Sequence, residues 1–523
     1  MGAAPGREVG GAAPVACGAK LPAWRIRDAT VRIGRPYADL SLPASPFDFE
    51  RRRGSTTNAK SDPLNVLLLV PDGVSARNFL LGALPDRLAE SGPVDVLLGA
   101  GLDRRPETQI PALRHRQELW RYPERLLEAP VRRTLEYSHQ RWCDTAGTRF
   151  MLSAPIPGSG RSRLLRRAAR GASRLTASER MLRRLVQAHD ALADHRPEVD
   201  VYVDLLREWR TAVVLCAHQR PITIQPVVMA ARRLGIPTAT FIFSWDNLTT
   251  KGRVAAPFDH FFVWSDQMET ELVRYYPDVS NDRIHVVGSP QFEPYADPSL
   301  VWTRDRFDQE LGLEPGRPVI CFSGGDTLGC PEDPAHLRIV CELVRDGELT
   351  GDPQIVLRPA PVDTSDRFDN VLQDFPIVLS RPRWEDGGRG WDAVTPRRDD
   401  IELLVNLTRY SDLNINMAST MTLDFAIHDT PVVNLGFDVD PTIQRASRYY
   451  DFDHYRPVVD LGAARVAKDP AALAEAINTY LADPALDRDG RSQFVDLELS
   501  VRPGGSVPAI AEALSEIESR SLV

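Results

Sequence analysis

Short apolar runs recur along the chain with room for one helix between neighbours. Asn65-Val-Leu-Leu-Leu-Val70 is the first; it stops at Pro71-Asp72-Gly73, and a helical pattern over Ala76–Ser91 leads to the next run, Val94–Leu98. After a long Arg-rich stretch, strands are predicted over Val213–Ala217, Thr238–Phe243, His260–Trp264 and Ile284–Val287, with helices over Ile224–Leu234 and Gln267–Tyr275. The pattern restarts at Val319–Phe322. It continues with strands over Gln354–Leu357, Ile377–Leu379, Leu413–Asn416 and Pro431–Leu435. Helices are expected over Pro334–Val344, Asp400–Tyr410, Thr422–His428, 470–482 and 506–518. Strands alternating with helices of this length mean βαβ units and mainly parallel sheets.

The prolines at 290, 294, 298 and 315 mark a connection between two such units. The expected fold class is α/β, with two Rossmann-like domains facing across a cleft. Residues 1–60, rich in Gly, Ala, Pro and Arg, show no sustained periodicity and read as a loosely ordered leader. Residues 61–295 would form the N-terminal domain, carrying a basic helical insertion over 104–195; residues 317–500 would form the C-terminal domain. The last helix, within 501–523, would return to the N-terminal domain.

Composition narrows the class. At 43% hydrophobic and 26% charged residues the chain is globular. No apolar run reaches the length of a membrane span, and no apolar core of signal-peptide length opens the sequence. Six cysteines without a CxxC pair argue against a disulfide scaffold or a zinc ribbon and fit a reducing cytoplasm. Of the 63 basic residues only Lys20, Lys60, Lys251 and Lys468 are lysines. Segment 104–184 holds 19 Arg against 7 acidic residues, a balance of +12 in a chain whose net charge is −9. Such segregation fits either a local anionic surface, such as the inner face of a membrane, or a solvated insertion paired with acids elsewhere. No nucleic-acid-binding motif accompanies it, so nucleic acid is not an expected partner.

Ligands of open α/β sheets bind beyond the carboxyl ends of the strands, so the candidates are the loops there. Gly324-Gly325 lets a backbone approach a ligand closely, or simply makes a turn. Ser419 and Thr420 stand where a helix begins; its unpaired N–H groups could hold phosphate, or the pair could be an ordinary cap. Asp424, further along, could bond a ribose. Arg358 ends a strand and could hold a diphosphate or a surface carboxylate. The loop Ser244-Trp-Asp-Asn-Leu-Thr-Thr-Lys-Gly252 gathers Trp245, Asp246, Asn247 and a rare lysine, Lys251; the plain alternative is a turn bonded to itself. Asp438-Val-Asp440 is a weak metal candidate, and no GxSxG elbow or phosphate-binding GxxxxGK[ST] loop occurs.

Four strings carry a family resemblance: Ser244–Gly252; Arg283-Ile-His-Val-Val-Gly-Ser-Pro-Gln-Phe292; Glu310-Leu-Gly-Leu-Glu-Pro-Gly-Arg-Pro-Val-Ile320; and Ala418–Asp424 with Pro431-Val-Val433. Together they resemble the GT-B class of nucleotide-sugar glycosyltransferases, closest to a bacterial surface-polysaccharide group. UDP-N-acetylglucosamine 2-epimerases and glycerophosphotransferases are more distant. Where the class usually has Gly-Gly, this chain has Thr420-Met421, and Phe425 stands where epimerases often have a second Glu. The resemblance implies a glycosyltransferase that takes a nucleotide-diphosphate sugar and an acceptor that is a glycan, a lipid-linked or a small molecule. No cofactor or bound metal would be needed. It implies donor contacts from Gly324, Gly325, Asp326, Thr327, Arg358, Ser419, Thr420, Thr422 and Asp424. Acceptor contacts would come from Asp72, Gly73, Trp245, Asn247 and Lys251. For an inverting transfer Asp246 is the first choice of general base and His218 the second; a retaining transfer would need no such base. A glycerophosphotransferase, or an idle binding module of the same fold, is the alternative.

Overall fold

The structure, a computed structural model, describes residues 63–521 apart from 121, 126, 387–393, 441 and 444; the expected leader over 1–60 lies outside the described residues. The first sheet contains β1 (Val66–Val70), β2 (Val94–Leu98), β3 (Leu113–Glu118), β4 (Val213–Cys216), β5 (Thr238–Phe241), β6 (His260–Val263) and β7 (Ile284–Val286). Its order is β3-β2-β1-β4-β5-β6-β7, parallel throughout. The second sheet contains β8 (Val319–Ser323), β9 (Gln354–Arg358) and β10 (Ile377–Leu379). A small antiparallel ribbon, β11 (Trp384–Asp386) with β12 (Val394–Pro396), follows; β13 (Leu413–Asn416), β14 (Val432–Leu435) and β15 (Arg465–Ala467) complete the sheet. Its order is β10-β9-β8-β13-β14-β15, again parallel. Both sheets run from their first strand to one edge and then cross back to the other side, which is the Rossmann order. The two-domain α/β architecture expected from the alternation is therefore present.

Continuous burial explains why the apolar runs are strands. Helices cover both faces of a parallel sheet, so β1 (VLLLV) and β8 (VICFS) are buried at every position. β3 reads LRHRQE and places a strand within the segment 104–195, expected as a basic helical insertion. It is an edge strand anchored by charge: Arg114 bonds the buried Asp95 of β2 through Nε at 3.0 Å, and the His115 ring meets the same carboxylate at 3.0 Å. The expected helix over Ala76–Ser91 is two, Gly73–Phe79 and Leu84–Ala89, the second opening on Pro85. The stretch Arg161–His195 likewise forms two helices, Gly160–Thr176 and Glu179–Asp194.

The C-terminal segment lies against the first domain. Helix Ser506–Ser521 packs on Leu84–Ala89, and Glu293 accepts the Gly504 and Ser506 amides at 2.9 and 3.0 Å. Helix Arg488–Glu498 packs on Asp266–Tyr275 and brings two buried acids together, Glu498 and Glu271. Burial pushes the Glu271 carboxyl up to about 8, with Gln267 and Arg274 opposing and Asp453 reinforcing. Glu498 is raised by burial and then by Glu271. The folded chain thus keeps protons that the unfolded chain has released, so this contribution to stability is full at acid pH and is lost as pH climbs to about 8. Thermal melts across this range should show that decline, and Glu271→Gln should flatten it. An unchanged pH dependence in the variant would remove Glu271 as its source.

Candidate functional site

Parallel doubly wound sheets leave a crevice where the chain reverses direction, between the first strand and the strand that follows the crossover. In the first domain that point lies between β1 and β4. Asp72 follows β1 and caps helix Gly73–Phe79, accepting the Ser75 amide at 2.8 Å. His218 follows β4, and its Nδ1 meets the other Asp72 oxygen at 2.7 Å. Burial raises the Asp72 carboxyl, but the hydrogen bond and charge of His218, with Ser75, hold it below its ordinary value. When the ring is neutral, with Nδ1–H donating to Asp72, its lone pair is on Nε2, which is buried without a partner. The ring stacks on Phe243 with centroids 4.0 Å apart.

In the second domain the corresponding point lies between β8 and β13. The Gly324 amide bonds the Arg358 carbonyl at 2.9 Å, so these two strand ends are neighbours. Arg358 is buried and not at the surface. Its Nη2 bonds both Asp400 oxygens, at 3.0 and 2.9 Å, while Nη1 is buried without a partner. Asp400 also accepts the Arg383 amide at 2.9 Å and the Trp384 indole at 2.7 Å. The glycine pair has packing reasons of its own: a Cβ on Gly325 would fall 2.5 Å from Cys330 Sγ. Asp326 secures the turn by accepting the Leu328 and Gly329 amides at 2.9 and 2.8 Å, and Thr327 is exposed.

After β13 the chain is held by a buried amide network absent from the expected site. Asn416 bonds Asn414 at 2.7 Å, Asn414 bonds Ser323 at 2.8 Å, and Asn434 bonds Asn416 at 3.1 Å. Thr422 joins this network through Tyr455 at 2.7 Å, so it is a structural hydroxyl without access to a donor. Polar Asn within the otherwise apolar β13 and β14 was the available signal. The network fixes the loop in which Ala418 takes φ 43°, a left-handed conformation costly for a residue with a Cβ. The helix that follows, Met421–Ala426, is short, and Asn416 and Ser419 already accept the Ser419 and Met421 amides at 3.0 and 3.2 Å. The helix start at Ser419 and Thr420 therefore offers an anion less than expected.

The two domains touch beside the first switch point, where helix Gly73–Phe79 packs on β12. A Cβ on Gly73 would lie 1.7 Å from the Val394 carbonyl oxygen of β12, so this glycine is required by domain contact. Gly73→Ala should accordingly lower the melting temperature by several degrees in a thermal scan. Asp424 accepts the Tyr295 hydroxyl at 2.5 Å and is buried, which corrects its expected role as an open ribose ligand. Burial raises its carboxyl to about 6, opposed by Tyr295 and by the nearby charges of Arg77 and Arg358. Arg77 and Arg358 thus both act on Asp424 through their charge, and Arg77 makes no ion pair of its own among the described residues; sequence reasoning passed it over.

The loop Ser244–Gly252 also lies between the domains. Trp245 packs against His454, Tyr455 and Phe494, and Thr249 meets His454 at 3.3 Å. Asp246 pairs with Lys251 at 3.1 Å and accepts the Asn247 amide at 2.8 Å. Although burial raises its carboxyl, Lys251, His454 and Ser244 hold it far below the ordinary carboxylate range. A carboxylate so stabilised is a poor base, which is an argument for His218 over Asp246 as the general base. Asn247 accepts from Gln219 at 2.9 Å, and Gln219 accepts the Phe243 amide at 3.0 Å. The loop therefore braces the wall on which His218 stacks.

No protein-family profile and no curated protein matches the sequence. Solved structures do. The chain is similar to a UDP-GlcNAc 2-epimerase from Neisseria meningitidis bound to UDP-GlcNAc, with 11% identity over 87% of this chain and 100% of the other, TM-score 0.49. A glycosyltransferase from Rickettsia africae shows 10% identity over 88% and 99%, TM-score 0.47. The wall teichoic acid polymerase TagF shows 12% identity over 88% and 90%, TM-score 0.45. With likeness at this level, the fold stands on the strand order of the two sheets. Among the described residues no cluster of three or more His, Cys, Asp or Glu side chains could hold a metal, and no helix is long and apolar enough to cross a membrane.

Proposed function

We propose that the chain is a glycosyltransferase that moves a sugar from a nucleotide-diphosphate donor to an acceptor hydroxyl. One observation carries this reading. Each sheet presents an orphaned buried polar atom at a carboxyl strand end beside its switch point, a ring nitrogen of His218 just past β4 and a guanidinium N–H on Arg358 at the end of β9, the neighbour of β8. A buried polar group without a partner costs about 1–3 kcal/mol, so a ligand that satisfies it gains that much. A donor diphosphate supplies the acceptor for Arg358 Nη1, and an acceptor hydroxyl supplies the donor for His218 Nε2.

The chemistry follows from these two atoms. His218 takes the hydroxyl proton on Nε2 as the oxygen attacks the anomeric carbon, and Asp72 stabilises the imidazolium that forms. The bond from that carbon to the diphosphate oxygen breaks, and Arg358 and Arg77 hold the charge that develops on the departing nucleoside diphosphate. Melting curves with UDP, GDP, CDP, dTDP and CMP test the binding half of the reading. One nucleoside diphosphate should raise the melting temperature, by about 2.7 kcal/mol of stability at a concentration 100-fold above its Kd. A shift with CMP and with none of the diphosphates would favour glycerol phosphate as the transferred group, and no shift at all would leave an idle module.

A further inference from the structure

Helix Gly160–Thr176 carries its apolar stripe on the wrong side for a globular protein. Its inner face packs on helix Glu128–Cys143 through Ala169 and Ser173, and Arg141 Nε donates to Ser173 at 2.7 Å. Leu164, Ala168, Gly171 and Leu175 recur at i, i+4, i+7 and i+11 and so form one stripe, and all four are exposed. Leu164 is 67% and Leu175 87% exposed, and Leu165 beside them is 45% exposed. Arg161, Arg163, Arg167 and Arg174 rim that stripe, and Arg166 and Arg170 stand behind it; the helix has no acidic residue. Its flanks hold ion pairs, Arg149 with Asp144 and Arg183 with Glu179 and Asp278. None of the six arginines between pairs with a carboxylate among the described residues. Arg163 and Arg170 bond only the carbonyls of Gly158 and Ala154, at 2.7 and 3.0 Å.

We infer that this helix lies in the interface of an anionic lipid bilayer, with Leu164, Leu165 and Leu175 inserted among the acyl chains and the arginines on the headgroups. A helix of 17 residues presents a rod of about 25 Å to the surface. An outward apolar stripe edged by unpaired cations is the pattern of an in-plane membrane helix. Charge decides the occupant. A second copy of the chain would set arginine rim against arginine rim, and nucleic acid has no use for the leucines. The six unpaired arginines leave the charge of this helix without an acidic partner among the described residues, whereas Arg105, Arg114 and Arg183 of the same basic segment pair with Glu385, Asp95 and Asp278.

The surface connects to the candidate site. Helix Ala146–Ser153, which packs like the basic helix on Glu128–Cys143, donates from the Ala146 amide to Asp453 at 3.0 Å and contacts the loop Ser244–Gly252. Docking would therefore hold the acceptor side of the molecule near the bilayer, although the inference stands on the helix alone and not on the transferase reading.

Co-sedimentation of the full chain with vesicles tests it, using phosphatidylcholine alone or with one part in three of phosphatidylglycerol. The native chain should partition onto the anionic vesicles at least about tenfold better than onto the neutral ones, and added salt should weaken the binding. The double variant Leu164→Ser, Leu175→Ser should lose about tenfold or more at an unchanged melting temperature, because both side chains are already exposed. No binding to anionic vesicles at low salt would overturn the inference. So would equal binding by the variant, self-association without vesicles that the variant abolishes, or retention by duplex DNA and not by vesicles.

Discussion

Replacing His218 should lower kcat for sugar transfer by about 10²–10⁴-fold, the range for loss of a positioned general base, with the nucleotide Kd unchanged. Two replacements separate chemistry from folding. His218→Ala strips the buried Asp72 of its hydrogen bond and leaves only the Ser75 amide, so it should also lower the melting temperature. His218→Gln offers an amide N–H to Asp72 and keeps most of that stability, yet it has no nitrogen lone pair able to take the acceptor proton. The two variants should therefore be equally inactive and unequally stable. A Gln variant that turned over at the native rate would exclude His218 as base. Asp72→Asn should fall in the same direction, because the ring then loses the carboxylate that fixes its tautomer.

Arg358 should prove the most costly single residue to remove. Arg358→Ala would leave Asp400 buried beside only the Arg383 amide and the Trp384 indole, and breaking one side of a buried pair destabilises by about 3–5 kcal/mol. Loss of activity in that variant alone would say little about the donor. The double variant Arg358→Met, Asp400→Leu removes both charges and should recover most of the melting temperature. It should still bind the nucleoside diphosphate at least about tenfold more weakly than the native chain, because a hydrogen bond to a charged group contributes about 1.5–3 kcal/mol. Native affinity in the double variant would make the arginine purely structural.

Much of this architecture was legible in the sequence because burial on both faces writes parallel strands as unbroken apolar runs. β1 and β8 announce themselves in that way. β3 does not, because an edge strand held by Asp95 needs no apolar face, and β15 reads RVA, without the apolar run that marks the equally short β10. The site shows the same division. Asp72 and His218 were legible as residues at strand ends, but their 2.7 Å contact spans 146 positions and only the sheet order creates it. Asp246 looked free in the sequence, since its loop is packed by His454, Tyr455 and Phe494 from more than 200 residues away. Asp424 looked open for the same reason, its partner Tyr295 lying in the connection between the domains.

The central claim is that the two orphaned atoms serve one reaction. Its most direct test is nucleotide release from a panel of nucleotide sugars and CDP-glycerol, each with a polyol acceptor, for the native chain and His218→Gln side by side. Release of a nucleoside diphosphate by the native chain, with almost none by a variant that the same diphosphate still stabilises against heat, is the predicted result. Release of the diphosphate at equal rates by both proteins, or no release from any donor by a native chain that binds none of the nucleotides, would contradict the account.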